Sequence, residues 1–180
     1  IDGEIPKENW LIINKLRKKY KIKLNIIQKN VGLALALNSA INLVTTKWVA
    51  RADSDDINMT NRFEKQIELA KKNYDVIGSN ILEVDQNNKF LKLEKKMPKT
   101  NSAIKKYLKS RNPINHMTAF YKTDLVKRVG GYPNIYHRED YGLWIKLHHH
   151  GANFYNISDN LVQVNGGHSL FKRRRGFRNI

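Results

Sequence analysis

Between Trp10 and Ala52 the spacing of apolar residues switches from helical to alternating and back, and that switching constrains the fold more than any single motif. Trp10, Ile13, Leu16 and Tyr20 recur every three or four positions, as one face of a helix requires, and Ile22, Leu24 and Ile26 then alternate as on a strand. Leu33, Leu37, Ile41 and Val44 form a second helical stripe, and a short apolar strand follows from Trp48 to Ala52. Helices and strands that each carry one apolar face must be layered to bury it, so this order predicts an α/β sheet.

The pattern continues to the end of the chain. Thr60 suits the N-cap of a helix carrying Phe63, Ile67 and Ala70, and residues 76–84 read as a strand. A polar turn at 85–89 precedes Phe90, Leu91 and Leu93, which predict the return strand of an antiparallel hairpin. Residues 102–110 suit a short basic helix that Asn112-Pro113 ends, because a residue before proline disfavours helical geometry. Met117–Tyr121 then reads as strand, and Thr123 opens a helix through Val129 that Gly130-Gly131 terminates. Glu139–His149 reads as a helix, with strands at Phe154–Ile157 and Leu161–Val164. With 180 residues and 41% hydrophobic content, residues 1–180 suit a single domain, with a basic tail from about residue 166 that includes the run from Lys172 to Arg175.

Composition removes several function classes. The chain has no cysteine, so disulfides and thiolate metal sites are excluded, which fits a reducing, cytoplasmic setting. The longest apolar stretch, 31–44, is broken by Asn38, Ser39 and Asn42 and is too short to span a bilayer. The opening Ile-Asp-Gly, without an initiator methionine, reads as the start of a fragment. Lysine and arginine outnumber aspartate and glutamate by 33 to 16, a charge of +17 that attracts nucleic acid, anionic lipid or phosphorylated substrates.

The chemistry concentrates in two acidic groups. Trp48 to Asp56 reads Trp-Val-Ala-Arg-Ala-Asp-Ser-Asp-Asp, with Asp53, Asp55 and Asp56 directly after an apolar strand, where open α/β sheets gather ligands. Crowded carboxylates repel one another unless water, backbone amides or a cation compensates them. The spacing is not that of a calcium loop, since Ile57 and Asn58 stand where a ligand and a glycine are required. Mg²⁺ and Mn²⁺, which take one or two carboxylates plus substrate oxygens, suit it better, and an acidic turn that only stabilises the next helix suits it too. Glu139-Asp140 opens a helix, where a carboxylate could accept a proton from a substrate hydroxyl or simply complement the helix dipole. His148, His149 and His150 are consecutive and cannot face one metal from a helix, and Gly32 alone implies only a tight turn.

Taken in order, these pieces resemble the family 2 inverting glycosyltransferases of the GT-A fold, of the bacterial exopolysaccharide and lipopolysaccharide type. Residues 25–164 carry the resemblance, through Asn30-Val-Gly-Leu with Leu35-Ala-Leu-Asn38, the acidic stretch with Asn61-Arg-Phe-Glu-Lys-Gln66, Asn112-Pro-Ile-Asn-His116, Gly130-Gly-Tyr and Glu139-Asp-Tyr-Gly-Leu-Trp144. The resemblance implies a mostly parallel central sheet with a small antiparallel part, in three α/β/α layers, truncated at the N-terminus by a strand and a helix. It implies a nucleotide-sugar donor, UDP-linked, a glycan or lipid-linked acceptor, and Mn²⁺ or Mg²⁺ as cofactor. Asp53 and Asp55 match the Asp-X-Asp motif that holds the ribose and the cation, and His168 is placed with them as a metal ligand. Asp2, Asn30, Gly32, Asn38 and Arg51 line the nucleotide pocket, and His116 falls near the acceptor or the diphosphate. Asp140 looks like the general base, with Glu139 orienting it or touching the acceptor.

Gly142 departs from the pattern, since an acidic residue is common there. The positive field implies contact with anionic lipid at the inner face of the cell membrane. The rival readings are a basic α/β module that grips nucleic acid through phosphates, and an inactive fragment of the same enzyme. The aromatics do not interleave with the basic residues as a stacking platform requires, so no nucleic acid is expected as partner.

Overall fold

The computed structural model describes residues 1–84 and 92–165. In chain order it holds α1 (Lys7–Lys19), α2 (Leu33–Asn42), β1 (Trp48–Ala50), β2 (Ile57–Asn58), α3 (Arg62–Ala70), β3 (Val76–Val84), β4 (Lys92–Lys95), α4 (Asn101–Leu108), a 3₁₀ turn (His116–Thr118), β5 (Phe120–Lys122), α5 (Thr123–Arg128), α6 (Glu139–His149) and β6 (Phe154–Asn165). The strands form one sheet in the order β1-β5-β3-β6-β2, with β4 paired to β3.

Neighbouring residues on each strand point to opposite faces, and the core divides accordingly. Val49, Val76, Tyr121 and Phe154 join Ala34, Ile41, Ile104, Val126, Leu143 and Trp144 under α2, α4, α5 and α6. Trp48, Ile77, Phe120 and Tyr155 meet Leu69 and Ala70 of α3 on the other face. This is the expected three-layer α/β/α arrangement, although the share of parallel pairing is smaller than expected. Among the described strands only β3 and β6 pair in parallel, while β1/β5, β3/β5, β3/β4 and β2/β6 are antiparallel. The reason is topological: β4 reverses the chain before α4, so β5 enters the sheet running against β3.

Four local expectations change. Ile22 to Ile26 forms no strand; the chain pairs beside it through a parallel bridge between Asp2 and Ile27, fixed by Ile27 N–H to Ile1 O and Gly3 N–H to Ile27 O, both 2.9 Å. The first half of Met117–Tyr121 coils into the 3₁₀ turn, because Thr118 returns both its N–H and its hydroxyl to Asn115 O, at 2.9 and 2.8 Å. The two C-terminal strands are one, irregular opposite Ser79 to Ile81, where Asn80 Nδ2 donates to Ser158 O at 2.7 Å. At α3, Asn61 rather than Thr60 occupies the N-cap. Phe90 and Leu91 lie outside the described residues, and Lys92 to Lys95 does return antiparallel to β3. No helix of the described residues is long and apolar enough to cross a membrane.

Strand direction sets where the chemistry collects. β1, β3 and β6 run one way, and the acidic stretch leaves the C-terminal end of β1. α6 feeds β6 and α2 feeds β1 through short connections, so both helices start at that same end of the sheet. β5 runs oppositely and also begins there, which brings the segment from Asn112 to His116 beside it.

Candidate active site

The acidic turn is held from beneath by one buried cation. Arg62 is fully buried, its Nη2 donates to Arg51 O at 2.7 Å, its Nε to Gln66 Oε1 at 3.2 Å, and its Nη1 to Asn58 Oδ1. Gln66 in turn donates to Thr118 O at 2.7 Å, which ties the turn to the 3₁₀ segment across the sheet. A charge in the interior costs several kcal/mol unless it is hydrogen-bonded and electrically balanced. Burial lowers the Arg62 pKa to about 10, and Asp53 and Asp56 work against that lowering.

Above Arg62 the three carboxylates differ. Asp53 is paired through Oδ1 with Arg51 Nη2 at 2.6 Å, while Arg51 Nη1 donates to Ala52 O at 3.0 Å. Asp55 is exposed and has no hydrogen-bond or ion-pair partner among the described residues. Asp56 has its pKa raised to about 6, first by burial and then by Asp53, although the Asn165 N–H opposes the shift. Its Oδ2 is buried with no hydrogen-bond partner. Among the described residues no three His, Cys, Asp or Glu side chains converge as a complete metal cage. An incomplete protein set with an orphaned carboxylate oxygen is the donor chemistry that Mg²⁺ or Mn²⁺ shares with substrate phosphate. His168 lies outside the described residues, as does the basic run at 172–175.

At the start of α6, Asp140 is half-buried and each of its oxygens accepts one hydrogen bond. Asn112 Nδ2 donates to Oδ2 at 2.6 Å and Tyr141 N–H to Oδ1 at 2.7 Å. Burial raises its pKa above the ordinary aspartate value, Glu139 adds to the rise, and the two donors oppose it. Glu139 is half-buried beside it. Gly142 follows because the loop packs on the helix: a Cβ there would stand 2.4 Å from Pro133 Cγ, so the acidic residue common at this position would collide with the loop.

A cluster of aromatic and polar groups lies within range of the Arg51 and Asp140 charges. His116 Nε2 lies 3.0 Å from Tyr132 Oη, which is 3.1 Å from Tyr121 Oη, and the His116 ring meets Trp144 edge-on. Burial, reinforced by the Arg51 charge, lowers the His116 pKa to about 3, so the ring is neutral at physiological pH. The Arg51 charge also bears on Tyr132, and so does that of Asp140, while burial holds the Tyr132 hydroxyl protonated. Tyr132 itself is fixed by Asn38, whose Nδ2 donates to Tyr132 O at 2.8 Å and whose Oδ1 accepts from Tyr132 N–H at 2.7 Å. Gly131 must be glycine for this clamp, since its φ is +65° and a Cβ would fall 2.2 Å from Asn38 Oδ1.

The remaining sequence candidates gather at the start of α2. Asp2 accepts from Val31 N–H at 2.8 Å and Gly32 N–H at 3.0 Å, and Asn30 Oδ1 also accepts from Gly32 N–H at 3.1 Å. Asp2 and Asn30 thus hold the loop that starts the helix. Sequence reasoning missed Arg62, Asn112 and Tyr132 as working parts. All three lie inside the motifs that carried the resemblance, but the partners of each are set by tertiary packing that the local sequence does not name.

The family described as Glycosyl transferase family 2 matches residues 1–130. A UDP-Gal:alpha-D-GlcNAc-diphosphoundecaprenol beta-1,3-galactosyltransferase of Escherichia coli is 41% identical over 98% of this chain and 65% of its own length. An amylovoran biosynthesis glycosyltransferase of Erwinia amylovora is 35% identical over 86% of this chain and 58% of its own. The chain therefore spans less than two thirds of these relatives. S. aureus TarS in complex with UDP-GlcNAc superposes with a TM-score of 0.69 at 18% identity, over 88% of this chain and 46% of that one. A Pyrobaculum calidifontis mannosyltransferase in complex with GDP-Man and Mn²⁺ gives 0.68 at 15% identity, over 98% of this chain and 50% of that one. These two likenesses establish the GT-A architecture.

Proposed function

Because the chain belongs to glycosyl transferase family 2, we propose that it transfers a sugar from a UDP-linked donor to a hydroxyl of a glycan or lipid-linked acceptor, with inversion, in the synthesis of bacterial surface polysaccharide. One observation carries the reading: the acidic turn after β1 and Asp140 at the start of α6 occupy the same end of the sheet, with the hydrogen-bonded His116 and Tyr132 within range of the Arg51 and Asp140 charges. The activity of the E. coli relative, a UDP-Gal-dependent galactosyltransferase acting on a diphosphoundecaprenol-linked sugar, supports the donor and acceptor class.

In this reading the acceptor hydroxyl gives its proton to Asp140 as its oxygen attacks the anomeric carbon. The bond from that carbon to the diphosphate oxygen breaks on the opposite face, so a single displacement inverts the configuration. A proton acceptor so placed contributes about 10²- to 10⁴-fold in rate. Asp53 and Asp55 would hold a divalent cation, with Asp56 Oδ2 turned inward beside them. When bound, the cation offsets the charge growing on the departing diphosphate. Asp2, Asn30, Gly32 and Arg51 border the nucleotide, while Asn38 acts through its grip on Tyr132. His116, neutral, serves as a hydrogen-bonding group toward acceptor or diphosphate and not as a base.

UDP release from UDP-sugars, measured on this chain with Mn²⁺ and with chelator, tests the proposal. Release that needs the cation and disappears in Asp55→Ala is expected. Cation-independent release, or release unchanged in that variant, would overturn the metal assignment.

A further inference from the structure

The end of α4 grips the first turn of α6 at two successive residues. Tyr141 Oη donates to Leu108 O at 2.6 Å, and four residues after Leu108 the Asn112 amide donates to Asp140 Oδ2 at 2.6 Å. The orientation of that amide is not free. Asn112 Oδ1 accepts from Ile114 N–H at 3.2 Å, within the Asn-Pro-Ile turn, so the NH₂ end is the one left to face the carboxylate. The turn is anchored, since Ile114 and Asn115 are buried and Asn115 Nδ2 donates to Ser79 O at 3.0 Å. Asn112 is thus a fixed donor aimed at the carboxylate that takes the proton in the proposed reaction.

We propose that Asn112 is a positioning residue for Asp140, holding its carboxylate ionised and in one orientation so that an outer lone pair faces the acceptor hydroxyl. This rests on the reading of Asp140 as the base. A hydrogen bond donated to the charged form favours that form, and an Oδ2 already engaged by the amide cannot rotate to another partner without losing the bond. Among the groups around Asp140, Glu139 on the same helix pushes its pKa up, and Tyr132, from the loop after α5, faces it as a neutral hydroxyl. Lys105 and Lys109 of the α4 region act on His148, at the far end of α6. The Asn112 donor is the largest of the contributions that oppose burial, ahead of the backbone N–H groups of Tyr141 and of Asp140 itself.

Two variants separate positioning from mere support of the turn. Asn112→Ala removes donor and acceptor together. Asn112→Asp keeps an oxygen for Ile114 N–H and the shape of the turn, and replaces the donor facing Asp140 with a second acid. With ¹³Cγ-labelled aspartate, the Asp140 carboxyl is assigned by its loss in Asp140→Asn and titrated by NMR in each protein. The Asp140 midpoint rises by about one pH unit in Asn112→Ala and further in Asn112→Asp, where the two acids titrate as a pair. The acidic limb of kcat for sugar transfer moves upward with it. An Asp140 midpoint in Asn112→Asp equal to that of the parent chain overturns the proposal, as does an unmoved acidic limb when Asp140→Asn is inactive. Full turnover in Asp140→Asn is a different failure: it removes Asp140 as the base, while the titration still reports on the Asn112 contact.

Discussion

The acidic turn after β1 and the first turn of α6 both display carboxylates at one end of the sheet, yet they are built in opposite ways. In the turn, Asp55 is exposed with no partner among the described residues, Asp53 is half-buried and paired with Arg51, and the backbone is held from underneath by the buried Arg62, which bonds the Arg51 carbonyl, Asn58 and Gln66. In α6 the support is applied to the carboxylate itself, through Asn112 and the Tyr141 N–H. A group that must bind a cation needs open lone pairs and a rigid backbone, whereas a group that must take one proton needs a set orientation and a controlled pKa. The difference in construction therefore follows the difference in proposed role.

The largest effect should separate the two regions by function. Asp140→Asn is expected to lower kcat by about 10²- to 10⁴-fold while leaving donor affinity, measured by calorimetry, close to the parent value. Equal losses in binding and turnover would erase the distinction. Next comes stability: Arg62→Met deprives Arg51 O, Asn58 and Gln66 of donors in the interior and is expected to cost about 3 kcal/mol in urea unfolding. A loss near zero would mean that the turn stands without its buried cation.

Much of this was legible in the residues. The period of Leu143, Trp144 and Leu147 located α6 at its observed bounds, because three side chains at helical spacing are all fully buried. The acidic turn was legible because Asp53, Asp55 and Asp56 fall within four positions. The α1 stripe misled in part: the helix forms, but Leu16 and Tyr20 of that stripe are exposed and only Trp10 and Ile13 are half-buried, so periodicity gave the element and not its burial. The strand at 22–26 failed for a similar reason, since a strand needs a neighbour that local sequence does not name. Asn38 was grouped with the nucleotide pocket, but its 94-residue reach to the Tyr132 backbone is a tertiary contact that no spacing rule contains.

A smaller effect sharpens the turn's side of the comparison. Asp55→Ala should leave the urea midpoint unchanged, because this side chain is exposed and has no partner among the described residues. It should weaken Mn²⁺-dependent UDP binding by about tenfold or more, as loss of a direct cation ligand implies. A variant that unfolds more easily yet binds UDP normally would reverse the roles assigned to Asp55 and Arg62.

The smallest effect concerns the link between the regions. His116 has its pKa lowered to about 3 by burial and the Arg51 charge, against an ordinary value near 6.5, so the unfolded chain takes up a proton that the folded chain refuses. Its contribution to stability is complete above the ordinary value and is lost as pH falls toward the folded one. His116→Gln keeps a hydrogen-bonding group for the Tyr132 hydroxyl and carries no titrating proton. Between about pH 4 and about pH 6, urea midpoints of the parent should therefore fall more steeply with acid than those of the variant, by the uptake of roughly one proton on unfolding. Parallel slopes would mean that His116 is protonated in the folded state. A second positive charge would then stand in range of Arg51 and Tyr132, and the separation between the proposed cation-binding turn and the proposed proton-taking helix would no longer rest on a neutral group.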